Sequence, residues 1–286
     1  MTGKLYLPSR ASAGPAAAVV VTGAWGTVKE QMAAGYAREL AARGYAALTF
    51  DFRGWGESEG RPRSMEDPFA KAADITAAAE YLASRTDIDA NAIGALGICA
   101  SSAYLATAAS RTDLIKSVVL VAPAVPSPAT VAEHLGGDEG VTALRAAAAT
   151  AQQEFERTGV ETLVPSVPPS SEAPAPGADY YTNPERGNIP EWDNTFNMAS
   201  WTQWFAYDAQ AAASDLKVPL LTLHSAAAAA PDSVREFVAR VPQVTEIWLD
   251  EVSQFDFYDQ PGPMDTACDA AAEHFASTVR RATAHG

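Results

Sequence analysis

The segment IGALGICASSAYLATAAS carries the clearest chemical signal in the chain. An apolar run ends at Gly97, one residue intervenes, Cys99 stands at a turn, and a helix of small residues begins at once. This is the strand–turn–helix pattern of a nucleophile elbow, usually written G-x-S-x-G. The residue at the tip takes a strained backbone conformation, so its neighbours must be small. Gly97 meets that requirement, and Ser101, standing where the last glycine would be, reads as small filler rather than as a nucleophile. Such a turn puts the Cys99 side chain at the amino end of a helix, where the dipole stabilises an anion. A thiol there is expected to be more acidic than free cysteine, whose pKa is roughly 8.5. The N–H of Ala100 is expected to point at the same spot as one half of an oxyanion hole. The plain structural alternative is a buried cysteine following a strand.

The elements that must hold this turn follow from hydrophobic patterning. Short β-branched runs separated by longer helical stretches mark an α/β chain with a mostly parallel sheet flanked by helices. Strands are expected at residues 5–8, 16–23, 45–52, 92–98, 117–122, 219–224 and 245–249, and helices at 30–43, 67–84, 100–110, 231–240 and 264–281. FDFRGWGESEG reads as a glycine-rich turn with positive φ, and Asp51 and Arg53 as structural parts of it. Residues 124–217 break the rhythm, being far longer than a strand–helix connection needs. They contain an alanine-rich helix near 142–157, a proline-rich segment at 165–177 read as an exposed loop or linker, and a dense aromatic section. We read 124–217 as a helical cap inserted into a core domain made of 1–123 and 218–286. Trp192, Phe196, Trp201, Trp204, Phe205 and Tyr207 include the i, i+3, i+4 spacing of an apolar helix face. That face packs on the core or lines a pocket. In the second case Trp192, Trp201, Trp204 and Phe205 are substrate-binding residues for an apolar ligand larger than a simple ester.

TGAWGTVKEQM, TFDFRGWGESEG, LGICASSAY, NPERGNIPEWDN and QFDFYDQP, spread over nearly the whole chain, resemble segments of the α/β-hydrolase superfamily. The resemblance is strongest to the branch related to dienelactone hydrolases, which carries Cys at the elbow. It implies an α/β-hydrolase fold with an inserted helical cap, and a second oxyanion N–H from the loop after the first buried strand, here Ala24 or Trp25. It also implies an acid after the next-to-last strand and a histidine after the last, the imidazole activating first the nucleophile and then water. Here the sequence departs from the pattern. The first of those loops reads LHSAAAAAPDSV, with no carboxylate from 226 to 230 and Asp232 already one turn into the next helix. The position that resembles the histidine site is Gln254, which donates and accepts hydrogen bonds but carries no proton at neutral pH. It is expected to orient a carbonyl or a water, not to act as a base. His224, at a strand end, reads as structural first and catalytic second. Asp256 shares the face of Gln254 if Phe255 and Phe257 alternate with the aspartates, and a buried carboxyl there would serve as acid or base. Otherwise it caps the following turn or pairs with Arg53. His134 reaches the site only if the cap folds down onto it, while His274 and His285 read as structural or solvated.

Composition narrows the remaining classes. A net charge of −15 and a pI near 4.6 leave no basic stripe to displace phosphate counterions, so no nucleic acid is expected as a partner. An acidic chain also avoids anionic membranes, and no run reaches the roughly 18 apolar residues of a span. The opening MTGKLYLPSR lacks a basic-then-apolar leader, so export is not expected. Two cysteines, Cys99 and Cys268, make no disulfide framework, which favours a reducing cytoplasmic setting. Four separated histidines suggest no metal site, and no cofactor is implied. The expected partner is a small apolar carbonyl compound: an ester, lactone or thioester, polyketide-like in size. Three functions compete. One is a Cys-centred acyl-chemistry enzyme with an incomplete triad, whose weakness is deacylation. Another is a non-hydrolytic cyclase, lyase or dehydratase using the oxyanion hole and lid. The third is a ligand-binding protein without chemistry.

Overall fold

The runs AAAVVVT, AALTF and SVVLV have no polar alternation, and each becomes a strand covered on both faces. The computed structural model describes residues 1–8, 14–167 and 178–279. Its strands are β1 (Gly3–Tyr6), β2 (Ala16–Thr22), β3 (Ala46–Phe50), β4 (Ile88–Ile98), β5 (Ser117–Val121), β6 (Leu163–Pro165), β7 (Thr195–Asn197), β8 (Leu220–Ser225) and β9 (Val244–Leu249). Seven of them form one sheet in the order β1-β3-β2-β4-β5-β8-β9. Every neighbouring pair is parallel except β1 with β3. The expected fold class holds: the protein is an α/β hydrolase in architecture, with the sheet sandwiched between helices.

Helices α1 (Met32–Ala42), α2 (Pro68–Ala83), α3 (Ser101–Ala109), α4 (Pro128–His134), α5 (Gly137–Thr158), α6 (Ser200–Trp204), α7 (Pro231–Val238), α8 (Asp256–Asp259) and α9 (Pro261–Thr278) complete the chain. Tyr36 and Leu40 of α1 join Cys268 and Phe275 of α9 in the core on one side of the sheet. Ile75 of α2, Tyr104 of α3 and Phe237 of α7 fill the other. Two strand limits differ from the sequence expectation. β1 lies at 3–6 rather than 5–8, because Leu5 pairs with Leu48 and Pro8 has no N–H to offer an edge. β4 begins early because Ile88 pairs with Ala16. Of the last helix, residues 280 and 281 lie outside the described residues.

The loops after β2 and β3 are locked together by a buried carboxylate. Asp51 accepts from the Lys29 N–H (2.8 Å), the Lys29 ammonium (2.7 Å) and the Glu57 N–H (2.9 Å). At Gly56, with φ +46°, a Cβ would meet Asp51 Oδ2 at 2.3 Å, so only glycine fits. The stretch between β5 and β8 is not purely helical. β6 and β7 form a two-stranded antiparallel ladder, and the expected aromatic helix is reduced to the five residues of α6. In its last part Ala209, Ala212, Ala213 and Leu216 pack in the main core. Most of the proline-rich segment, 168–177, lies outside the described residues. Of the 22 residues of α5 only Ala148 and Ala151 are buried. Among the described residues, no helix is long and apolar enough to cross a membrane.

Gly94 on β4 faces the buried Phe275 ring, with which an added Cβ would collide at 2.6 Å. Gly94→Ala is therefore expected to destabilise the fold by about 1–3 kcal/mol. The check is the urea midpoint, which should fall at an unchanged slope and recover in part when Phe275→Leu is added.

Candidate active site

β4 delivers the chain to the carboxyl edge of the sheet, where open α/β sheets place their ligands. Cys99 follows immediately at φ +57°, a left-handed conformation that costs a non-glycine residue about 1–3 kcal/mol. Its neighbours hold it there. The Cys99 N–H donates to the Val121 carbonyl at 3.1 Å, and its own carbonyl accepts from the N–H groups of Ser102 and Ala124. The Ser101 hydroxyl bonds both N–H and C=O of Ile98, and the Ser102 hydroxyl donates to the Gly97 carbonyl. A Cβ on Gly97 would sit 3.0 Å from the Ser101 carbonyl oxygen, which explains the small residue. The two serines clamp the turn.

Four groups lie beside the Cys99 sulfur and favour its charged form: the Tyr258 hydroxyl, the backbone N–H groups of Ala100 and Trp25, and the Gln254 side chain. Although Cys99 keeps some accessible surface, desolvation dominates and pushes its thiol above the ordinary value, with those four contacts pulling it partly back. The helix-dipole expectation of an acidified thiol is thereby corrected, because burial outweighs the dipole. Between the two N–H groups expected of the first loop, the one on the sulfur is Trp25. Ala24 belongs to the turn itself, its carbonyl accepting from the Thr27 hydroxyl at 2.7 Å. Gln254 is pinned at both ends: its amide donates to the Ala122 carbonyl (2.8 Å) and to Tyr258 Oη (3.4 Å), and its oxygen accepts from the Ala229 N–H (3.1 Å). Tyr258 also packs edge-on against Tyr181, ring centres 6.3 Å apart, and burial raises the pKa of both phenols well above the usual value, so both stay protonated.

Residues 14–250 match the family described as serine aminopeptidase, S33. The chain belongs to that family. It is 41% identical over 101 residues to the uncharacterized protein YcjY of Escherichia coli, a match covering 35% of this chain and 33% of that one. It is 32% identical over 172 residues to the thiohydrolase aneE of Aspergillus aculeatus, covering 58% of this chain and 51% of that one. The matches thus span a third to a half of these curated relatives. The crystal structure of hypothetical protein PA2218 from Pseudomonas aeruginosa superposes with a TM-score of 0.84 at 24% identity, covering 95% of this chain and 88% of that one. In this member of the S33 family the elbow tip is Cys99.

The remaining predicted residues divide sharply. Trp25, Trp201 and Trp204 line a cavity of about 330 Å³, closed by Ala124 and Pro126, by Val131 and His134 of α4, and by Ala229 and Ala230. The indole of Trp25 packs edge-on against Trp204 at 4.4 Å. His134 does come down to this cavity, with Nδ1 on the Thr130 carbonyl at 2.8 Å. Trp192 is a correction. Its indole N–H is bound to the Gly26 carbonyl at 2.7 Å and its ring is buried beside Tyr181, so it is a strut. Phe205 stands behind Trp201, stacked at 5.4 Å with Arg145 over it. Asp256 does not alternate with phenylalanines, because α8 is a helical turn. Its carboxylate accepts from the Ser253 N–H while its own N–H donates to the Ser253 hydroxyl, a reciprocal cap. Arg53 pairs with Asp74 instead. Tyr258 and Tyr181 were not anticipated. Tyr258 lies one helical turn after Gln254, a relation visible only once that segment is read as helix. Among the described residues, no group of three His, Cys, Asp or Glu is placed to hold a metal ion.

His224 is fully buried, edge-on to Trp248, with neither ring nitrogen in a hydrogen bond of good geometry. Burial, aided by Arg235, lowers its pKa to about 4. The folded protein therefore keeps this ring neutral where the unfolded chain protonates it. Its contribution to stability is complete above about pH 6.5 and is lost as the pH falls toward 4, to the extent of about 3 kcal/mol. Urea midpoints at pH 7.5, 5.5 and 4.5 should show this slope, and His224→Leu should flatten it.

Proposed function

We propose that this protein is an acyl-transfer enzyme that takes an apolar acyl group from an activated carbonyl compound, a thioester above all, onto Cys99. The observation that carries the reading is the convergence of the Ala100 and Trp25 N–H groups and the Tyr258 hydroxyl on one sulfur. Attack of that sulfur on a carbonyl carbon forms the new C–S bond and moves the C=O π pair onto oxygen, where the two N–H groups receive it. The thiol proton passes to the Tyr258 oxygen as the Tyr258 proton passes to the leaving sulfur. The carbonyl re-forms as the old C–S bond breaks. Burial keeps thiol and phenol neutral, so the proton moves with the bonds rather than ahead of them.

A thioester suits this arrangement. Its leaving group is a thiol, exchanged for another thiol, so the step trades one C–S bond for another and needs no strong acid, whereas an alkoxide leaving group would. The thiohydrolase name of one relative supports the same class. The tryptophan-lined cavity fits an apolar acyl chain, with α4, Trp201 and Trp204 acting as its lid, and cysteine at the elbow aligns the chain with the dienelactone-hydrolase-related branch. The acyl group then leaves to a hydroxyl acceptor: the acceptor oxygen forms the new C–O bond, its proton passes through the Tyr258 hydroxyl to the Cys99 sulfur, and the Cys99 C–S bond breaks. Gln254 offers no base to activate either water or an alcohol, so an acceptor carried by the acyl chain itself, held at high effective concentration, favours cyclisation over hydrolysis.

Incubation with the octanoyl thioester of N-acetylcysteamine should add one octanoyl group to the intact protein by mass spectrometry, and none to Cys99→Ala. The oxygen ester of the same chain should react at least about tenfold more slowly. Tyr258→Phe should slow acylation about 10²-fold while iodoacetamide still alkylates Cys99. A thiol open to alkylation but never acylated would sink the proposal.

A further inference from the structure

Behind the anion-binding loop lies a second buried charge that the acyl-transfer step does not use. Glu66, on the approach to α2, is fully buried. One carboxylate oxygen accepts from the Gly26 N–H at 3.0 Å and from the Lys71 ammonium at 2.7 Å, and the other accepts from the Tyr104 hydroxyl at 2.8 Å. Its own N–H donates to the Ser200 hydroxyl at 2.9 Å. Lys71 is itself buried, its ammonium 4.6 Å from the Trp55 ring centre and 4.7 Å from that of Phe52. The pair is neutral as a unit and closed to solvent.

We infer that Glu66 is the positioning residue of the oxyanion hole: by holding Gly26 it aims the Trp25 N–H at the reacting sulfur. The geometry is that of two peptide planes hinged at one Cα. The Trp25 N–H belongs to the plane before that atom, and the Gly26 N–H to the plane after it. Glu66 fixes the second plane through the Gly26 N–H, and Trp192 holds the next plane through the Gly26 carbonyl at 2.7 Å. Gly26 sits at φ +62°, which only glycine accepts freely. The Trp25 indole is packed between Trp204 at 4.4 Å and Phe196 at 5.4 Å, so rotation about its own backbone is blocked as well. One direction remains for the Trp25 N–H. Tyr104 extends the reference to α3, the helix that starts at the elbow. A single carboxylate thus registers the donor loop against the helix that carries the nucleophile, and a charged acceptor makes both bonds stronger than a neutral one would.

The proposal presupposes that Cys99 is the reacting group, but its test needs no substrate. The pH dependence of Cys99 alkylation by iodoacetamide reports how well the Trp25 N–H stabilises the thiolate. Glu66→Gln with Lys71→Met removes both charges and keeps an oxygen for Gly26; Glu66→Met with Lys71→Met removes the charges and the oxygen. The methionine pair should alkylate about tenfold more slowly at pH 8, with its midpoint moved up. The glutamine pair should stay within about threefold of the unmodified protein. If the methionine pair does not fold, Glu66→Asp, which retains Lys71 but withdraws the oxygen by one methylene, should move the midpoint in the same direction. Equal midpoints and rates for the methionine and glutamine pairs, or for Glu66→Asp and the unmodified protein, would overturn the inference, since a merely structural Glu66 lowers the melting temperature and leaves the thiol titration alone. Acylation by the octanoyl thioester, followed in the same variants, should fall about 10²-fold with the methionine pair. An unmodified protein that alkylates but is never acylated refutes the acyl-transfer reading, while the alkylation profiles still decide the role of Glu66.

Discussion

A cysteine held at φ +57° is the constraint around which the carboxyl edge of this sheet is arranged. Left alone, that turn would relax, because an L side chain in the left-handed region crowds its own carbonyl. It persists because β4 feeds it from one side, α3 pulls from the other, and the residues on either side return every backbone hydrogen bond. Ala124, the first residue beyond β5 to touch the elbow, donates to the Cys99 carbonyl. Gln254 then ties the loop after β9 to the loops after β5 and β8. The loops of four strands are in this way mutually dependent, and none can move without loosening the sulfur.

The electrostatics of the site are unusual for a protein of net charge −15. The groups that touch the sulfur are neutral: two amides of the backbone, one side-chain amide and one phenol. Charge is present nearby but always paired and withdrawn, as Glu66 with Lys71 and Asp51 with Lys29. Buried pairs of this kind give little net stability compared with apolar packing, and they are costly to break singly. Their value here is geometric. Each fixes a loop backbone by charge-assisted bonds that leave little slack. The proposed acyl transfer would proceed among dipoles, in surroundings where a small displacement of an N–H changes its worth considerably.

Much of this was legible in the sequence. Uninterrupted β-branched runs gave the parallel core strands, since a strand covered on both faces has no polar alternation to disguise it. The elbow was legible because Gly97, Cys99 and the small residues after it satisfy a steric requirement that few other arrangements impose. The limits of legibility lie where tertiary contacts override local pattern. Trp192 has the composition of a pocket wall but becomes a strut through one hydrogen bond to Gly26. QFDFYD reads as an alternating strand yet closes into a helical turn, because Asp256 and Ser253 cap each other. That misreading hid Tyr258, which joins the site only through helical spacing. Glu66 offered no local signal at all: its partners lie at Gly26, Tyr104 and Ser200, brought together by the fold alone.

The two halves of the segment between β5 and β8 are attached very differently. The half around Tyr181, Arg186 and Trp192 is stitched to the sheet domain, with Arg186 bridging Asp179 and Asp259 and Gln31 bound to the Gly187 carbonyl. In the half made of α4 and α5, α4 borders the cavity from the other side, and α5 buries only two alanines. Sequence drift is therefore cheap in one half and expensive in the other. A substitution in α4 would reshape the chamber at little cost to the fold, whereas one in the wall beside Tyr258 would disturb the ion pairs and hydrogen bonds that fasten it.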